Sequence, residues 1–183
     1  MKTKYILHGG YASRVNVEND KFFKEILINT PQKLKVLLVF FSKENDRIPV
    51  NRDEDIKMFV KNKDNHDLEF EVAEENRFVV QIKRSDIIYF HGGNTQKLVD
   101  ALNMFSNLKE SFEGKVIAAE SAGANALSAF YYSPVTNTPN KGLGIVPVKL
   151  SPHFDGTTGG KELEEVASDL ESCYLPEFKY KVF

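Results

Sequence analysis

Short apolar segments, separated by stretches with helical periodicity, limit the folds open to this sequence more than any other feature. The clearest are VLLVFF at 36–41, DIIYF at 86–90 and KVIAA at 115–119. Such segments are short for core helices, and their lack of alternation suits strands that are buried on both faces. Residues 18–29, 53–61 and 95–105 instead space their apolar side chains as amphipathic helices do. Strands that alternate with helices predict an α/β fold, a three-layer sandwich with a mostly parallel central sheet.

The rest of the pattern adds shorter elements and no boundary between domains. Residues 5–7, 68–72 and 148–151 predict strands, residues 133–144 a loop and residues 161–173 a helix, whereas 78–83 fits either a helix or a strand. No internal repeat, low-complexity tract or linker interrupts the pattern. A chain of 183 residues has the usual size of one domain. We therefore expect residues 1–183 to form a single domain.

Composition and charge argue against several classes of partner. The 24 basic and 26 acidic residues are spread along the chain and give a net charge of −2, so no concentrated basic face is expected for nucleic acid. No apolar run approaches the ~18 residues needed to cross a membrane, and the N-terminal residues lack the pattern of a signal peptide. The single cysteine, Cys173, cannot form an intrachain disulfide. These features predict a cytoplasmic protein without nucleic-acid or membrane partners.

Small or reactive residues stand where three of the predicted strands end. They are GG at 9–10, GGNT at 92–95 and ESAG at 120–123. In an open parallel sheet, ligands bind beyond the carboxyl ends of the strands. The backbone N–H of Gly93 can approach a substrate carbonyl closely, and Asn94 and Thr95 can hydrogen-bond polar substrate groups. The three turns therefore predict a small-molecule site at this edge of the sheet.

Ser121 has the sequence surroundings of a nucleophile elbow. It lies between a buried strand and a helix, with the small residues Ala119 and Gly123 two positions away on either side. The sharp strand-to-helix turn of such an elbow crowds the neighbouring backbone, so small flanking residues are needed. The following helix N-terminus also offers unpaired N–H groups for a developing oxyanion. The spacing fits equally well a serine that merely caps the helix.

A serine hydroxyl needs a base before it can attack, and His153 is the best candidate among the four histidines. It follows the predicted strand 148–151 and comes after Ser121 in the chain, the order found in elbow enzymes. His8 and His91 also end strands, where a pocket position and a packing role are both open, and His66 lies in a polar stretch. His153 and Asp155 are close in sequence, but no second ligand cluster accompanies them, so no metal is expected.

Three segments together resemble the alpha-aspartyl dipeptidase (peptidase E) family and its cyanophycinase-like relatives. They are YFHGGNTQKLVDAL at 89–102, VIAAESAGANAL at 116–127 and SPHFD at 151–155. The resemblance implies a flavodoxin-like fold of the class I glutamine amidotransferase type. It also implies that Ser121 attacks the scissile carbonyl and that His153 takes the serine proton. The N–H groups of Gly93 and Ala122 would then hold the oxyanion. No metal or cofactor is implied, and the substrates would be small peptides, with N-terminal aspartyl dipeptides as the named candidates.

Three departures from the family pattern leave questions open. The triad aspartate that the family carries after the serine is missing, because residues 133–138 read SPVTNT. Glu120, directly before Ser121, is open as the missing acid, a substrate-binding group or a surface carboxylate. Arg14 is the best of several arginines to bind a substrate carboxylate, because it follows a strand end. The chain also ends sooner than expected, so a partner chain in a homodimer is one candidate source of the missing pocket wall.

Two hypotheses of different classes follow. The first is a serine-type hydrolase of a small peptide or amide, favoured by the joint presence of Ser121, His153 and the GGNT turn. The second is a catalytically silent binding or regulatory module that keeps the fold, favoured by the missing acid and the early C-terminus. A glutamine amidotransferase proper would need cysteine at the elbow, where this chain has serine.

Overall fold

Two β-sheets, seven α-helices and two short 3₁₀ helices, Asn45–Arg47 and Glu75–Arg77, make up the computed structural model, which describes residues 2–183. The strands are β1 Lys4–His8, β2 Lys33–Val39, β3 Asp67–Val72, β4 Ile87–Phe90, β5 Val116–Glu120, β6 Ser128–Ser133, β7 Thr138–Lys141, β8 Val146–Pro152, β9 Glu171–Leu175 and β10 Tyr180–Val182. The helices are α1 Val17–Leu27, α2 Ile48–Asn62, α3 Phe78–Lys83, α4 Thr95–Leu102, α5 Leu108–Ser111, α6 Ala122–Leu127 and α7 Gly160–Glu164. Within residues 2–183, every helix is too short or too polar to cross a lipid bilayer.

The larger sheet has six strands in the order β10-β1-β5-β4-β2-β3, and all but β10 run parallel to their neighbours. Successive residues of its central strands point to opposite faces, as a strand requires. Ile88 and Phe90 thus pack in one hydrophobic cluster, whereas Ile87 and Tyr89 pack in another on the opposite face. The central strands are buried on both sides, which confirms the predicted α/β fold with a mostly parallel sheet.

The second sheet has four strands in the order β7-β6-β8-β9 and corrects two sequence predictions. The predicted helix 161–173 is wrong over most of its length, because α7 ends at Glu164 and Cys173 lies in β9. Parallel pairing with β8, in which Leu150 faces Cys173, overrides the local helical spacing. The predicted loop 133–144 contains β7, which forms an antiparallel hairpin with β6. The open segment 78–83 is helix α3.

Residues of both sheets share one hydrophobic core. Val148, Leu150 and Cys173 of the smaller sheet pack in the same cluster as Phe90 and Ile117 of the larger one. A core shared across both sheets supports a single domain, which we propose for the whole chain.

Gly123 lets helix α6 approach strand β4 closely, and we expect this contact to be sensitive to one methyl group. A Cβ at position 123 would lie 2.5 Å from the carbonyl oxygen of Phe90, a backbone atom with little freedom to move. Gly123→Ala should therefore lower the free energy of unfolding by about 3 kcal/mol, as overpacking does. Urea denaturation measures this change.

Gly160→Ala is the matched control, because the nearest atom to a Cβ there is 3.7 Å away. We expect it to change the free energy of unfolding by less than about 0.5 kcal/mol. Equal effects of the two substitutions would contradict the close approach at Gly123.

Candidate active site

Ser121 occupies a sharply strained turn between β5 and α6. Its backbone has φ 48° and ψ −109°, outside the regions that residues with a Cβ ordinarily adopt. Its side chain makes no capping hydrogen bond to the helix, and its Oγ lies 2.9 Å from Nε2 of His153. The capping interpretation left open by the spacing is therefore not the one the structure adopts. A strained backbone that presents a hydroxyl above the sheet is the geometry of a nucleophile elbow.

His153 directly follows β8, and its backbone is held against the turn after β1. Its backbone N–H donates to the carbonyl of Gly9 at 2.8 Å, and its φ is 51°. The ring packs against Gly10, where a Cβ would come within 2.2 Å of Cε1, and edge-on against Tyr11 with ring centroids 5.0 Å apart. Backbone and ring contacts together hold the imidazole over Ser121.

Glu177 is the acidic partner of His153 and is not among the residues predicted from the sequence. Its Oε1 lies 3.4 Å from Nδ1 of His153, with both side chains partly exposed. A carboxylate only accepts hydrogen bonds, so a ring that bonds to Glu177 does so through its Nδ1–H, and Nε2 is then able to accept from the Ser121 hydroxyl. Glu177 stands in the turn between β9 and β10, where Phe178 N–H donates to Gly10. No motif in the sequence marks it, because pairing of β9 with β8 and of β10 with β1 brings the turn to the site.

The Gly92-Gly93 turn lies directly beside Ser121. A Cβ at Gly92 would sit 3.2 Å from the Cβ of Ser121, and Gly93 has φ 152° with Ser42 packed against it. Asn94 caps α4 by accepting from the Lys97 N–H at 3.0 Å. A close backbone approach of this kind requires glycine.

A cavity of about 580 Å³ opens over these groups. Among the predicted site residues, its wall includes Gly93, Asn94, Thr95, Ser121 and His153. The other three predicted residues, Ala122, Glu120 and Arg14, lie outside the wall. Ala122 is buried behind Ser121 at the start of α6, and Arg14 stacks on the Tyr11 ring at 3.5 Å.

Glu120 lies beneath the site rather than at the surface or in the cavity. It is 4% exposed, and its two carboxylate oxygens accept the N–H groups of Ala12 at 2.8 Å and Gly92 at 3.3 Å. Burial would raise its pKa, but the charge of His91 and these amide bonds outweigh burial and lower it. Of the three interpretations open for Glu120, the surface carboxylate is wrong. The side chain instead ties the loop after β1 to the Gly92-Gly93 turn.

A buried triad of Asp55, His91 and Glu120 extends this network. Nδ1 of His91 lies 2.7 Å from Asp55 Oδ2 and 3.3 Å from Glu120 Oε1. Burial lowers the pKa of His91, but the hydrogen bond and charge of Asp55 outweigh it, so the pKa is raised overall. Burial raises the pKa of Asp55 to about 6. One proton shared by Asp55 and His91, next to an ionised Glu120, accounts for these directions of the three pKa shifts.

The same triad has ligand types that suit a divalent cation, with the ligand atoms all within 4.8 Å of one another. The distances favour hydrogen bonding. Two ligands of one tetrahedral metal stand about 3.4 Å apart when each bond is about 2.1 Å, whereas Nδ1 of His91 and Oδ2 of Asp55 are 2.7 Å apart. We therefore interpret the triad as a buried ion cluster that supports the turn.

His8, buried beneath the Gly9-Gly10 turn, should make stability fall in acid. Burial is the main cause that lowers its pKa from 6.5 to about 4. As the pH falls, the unfolded chain takes up this proton near pH 6.5, before the folded chain does. The contribution of His8 to the free energy of unfolding is thus complete above about pH 6.5 and is lost as the pH falls towards 4. The loss is at most about 3 kcal/mol.

Urea denaturation at about pH 7 and about pH 4.5 measures this loss. We expect the free energy of unfolding to fall less between these pH values in His8→Gln than in the unsubstituted protein. Asp55, with its raised pKa, acts in the opposite direction but is present in both proteins. An equal loss in the two proteins would contradict a buried neutral His8.

The fold and this geometry define a class of protein: α/β proteins that carry a serine and a histidine in contact on a nucleophile elbow. The sequence profile of peptidase family S51 matches residues 51–175. The chain belongs to that family, which confirms the resemblance to peptidase E, and it is accordingly a serine peptidase by family.

Two solved structures resemble the whole described chain. A peptidase from an acI-B1 actinobacterium has a TM-score of 0.75 at 21% identity, over 100% of this chain and 84% of that one. A protein from Listeria monocytogenes EGD-e, named after peptidase E, has a TM-score of 0.69 at 16% identity, over 100% of this chain and 98% of that one. At these identities the likeness establishes the fold. No curated protein sequence matches the chain.

Proposed function

We propose that this chain hydrolyses a peptide or amide bond in a small substrate, with Ser121 as nucleophile and His153 as general base. The observation that carries the proposal is the 2.9 Å contact between Ser121 Oγ and His153 Nε2 at a strained elbow. Strain of this kind persists only where the surrounding structure maintains it, and it clusters at active sites. The cavity directly above the pair offers room for a small peptide.

The chemistry would proceed in two halves. His153 Nε2 takes the Ser121 proton while Oγ bonds to the scissile carbonyl carbon, and the carbonyl oxygen becomes an oxyanion. The N–H groups of Gly93 and Ala122 would donate to that oxyanion. His153 then returns the proton to the leaving amine as the carbon–nitrogen bond breaks. Water repeats the sequence on the acyl-serine, which releases the acid and restores the hydroxyl of Ser121.

Glu177 would orient the ring of His153 and stabilise the imidazolium that forms when the serine proton is taken. A carboxylate facing Nδ1 favours the tautomer in which Nε2 is free to accept that proton. It thus takes the place of the triad aspartate that residues 133–138 lack. The Glu177 side chain is 43% exposed, so water screens its charge more than that of a buried acid.

The aspartyl dipeptides named by the family resemblance require a positive group that would grip the substrate carboxylate. Arg14 is the predicted candidate, and its guanidinium lies over Tyr11, itself packed on His153. Aspartyl dipeptides therefore belong in any substrate panel beside peptides with other first residues.

A fluorophosphonate probe tests the nucleophile without knowledge of the substrate, because it modifies activated serines. We expect labelling at Ser121, mapped by peptide mass spectrometry, and loss of labelling in Ser121→Ala and His153→Ala. Ser133→Ala is the matched control, since this serine also lines the cavity, and it should label normally. Absence of labelling in the unsubstituted protein would favour the silent binding module instead.

A further inference from the structure

The cavity wall above Ser121 is electrically neutral. Among the described residues 2–183, none of those that line it is a lysine, arginine, aspartate or glutamate. Its polar groups are amides and hydroxyls, such as those of Gln96, Asn125, Asn140 and Thr158. A wall of this kind has no countercharge for an ionised substrate side chain. Moving a carboxylate from water into such a site without a partner is costly.

The charged groups around His153 do not place a cation in this wall either. Asp155 is held by the backbone N–H groups of Thr157 and Thr158, which keep its pKa below the usual range and leave it negative. Glu177 adds a second carboxylate beyond His153. The guanidinium of Arg14 is stacked on Tyr11 outside the wall. Within residues 2–183, the wall thus holds no lysine or arginine that could pair with a substrate carboxylate.

Asn125 and Thr95 form the polar part of the wall nearest to the elbow. Asn125 stands one helical turn after Ser121 and is 6% exposed, and its Nδ2 donates to Thr95 Oγ1 at 3.3 Å. Within residues 2–183 its Oδ1 has no hydrogen-bond partner. A carboxamide can both donate to and accept from the amides and hydroxyls of the wall, such as those of Gln96, Asn140 and Thr158, whereas a carboxylate only accepts.

We infer that the cavity selects an uncharged carboxamide side chain, asparagine or glutamine, on the residue whose carbonyl is attacked, in preference to aspartate. The inference rests on the proposed function, because Ser121 fixes which carbonyl is attacked. It names a substrate class different from the aspartyl dipeptides that the resemblance suggests.

The test compares two nearly isosteric dipeptides, Asn-Leu and Asp-Leu, by calorimetric binding to the Ser121→Ala variant at neutral pH. The aspartate side chain is ionised under these conditions. We expect Asn-Leu to bind at least about tenfold more tightly, the ratio that ~1.4 kcal/mol produces. Equal or tighter binding of Asp-Leu would overturn the inference, and so would the absence of binding by both dipeptides at millimolar concentration.

A second variant tests the electrostatic cause. Asn140→Lys, made in the Ser121→Ala background, places a cation in the cavity wall. The ratio of the Asn-Leu affinity to the Asp-Leu affinity should then fall at least several-fold. Val80→Lys is the control, because Val80 is 60% exposed on α3 and away from the cavity. A ratio that Asn140→Lys leaves unmoved would contradict the role of charge.

The outcome for this inference is separable from that for the proposed function. If the fluorophosphonate labels Ser121 but Asp-Leu binds as well as Asn-Leu, the substrate class alone is wrong. If Asn-Leu binds selectively but Ser121 is never labelled, the cavity recognises carboxamides without hydrolysing them.

Discussion

Ser121→Ala is expected to lower kcat by about 10⁶-fold for any peptide that the protein hydrolyses. The loss is this large because the nucleophile and its base act as one unit, so removal of either leaves only binding and oxyanion stabilisation. Folding should be unaffected, since within residues 2–183 the Ser121 side chain caps no helix and its hydroxyl hydrogen-bonds to His153. The measurement is turnover of a mixed dipeptide panel, with aspartyl and asparaginyl members, followed by mass spectrometry.

Ser133→Ala provides the control for this loss. Ser133 lines the same cavity, and its Oγ accepts only a weak bond from the Thr136 N–H at 3.4 Å. We expect turnover by the Ser133→Ala variant to stay within a few-fold of turnover by the unsubstituted protein. Retention of more than about one per cent of the activity in Ser121→Ala would mean that another group is the nucleophile.

Glu177→Gln is expected to lower kcat by about 10²-fold with little change in KM. Loss of a buried orienting acid costs about 10⁴-fold in a well-studied serine protease. The effect should be smaller here, because Glu177 is partly exposed and its oxygen is 3.4 Å from the ring nitrogen. A split between kcat and KM is the decisive readout, since the orienting charge acts in the transition state and not in ground-state binding.

Asp155→Asn is the matched control for the charge. This carboxylate stands two residues after His153, but its hydrogen bonds go to Thr157 and Thr158. Turnover should therefore change only a few-fold in this variant. A large loss in Asp155→Asn together with normal turnover in Glu177→Gln would transfer the orienting role to Asp155 and contradict our assignment.

Local sequence was sufficient for the central strands of the larger sheet and for the choice of Ser121 and His153 as the candidate pair. The segments at 36–41 and 86–90 predict buried strands because burial on both faces requires continuous apolar side chains. Ser121 is marked by small neighbours, since an elbow crowds its own backbone, and His153 is marked by its place after a strand. In the structure the two are 2.9 Å apart. The family motifs at 116–127 and 151–155 contain the same two residues.

Local sequence was misleading where distant strand pairing decided the outcome. Residues 161–173 have helical spacing, yet most of the segment is turn and strand because β8 offers an open edge to Glu171–Leu175. The pairing contributes hydrogen bonds and burial that a short exposed helix lacks. A periodicity within one segment contains no information about which neighbour will pair with it.

The sequence by itself determined the buried strands at 36–41, 86–90 and 115–119 and marked Ser121 and His153 as candidates, because each of these signals depends on side chains a few positions apart. Only the tertiary structure decided what surrounds that pair. It brings Glu177 to His153 across 24 positions and Asp55 to His91 across 36. It also buries Glu120 and leaves Arg14 outside the cavity. These contacts join elements that are distant in the chain, and the packing that creates them is a property of the whole fold.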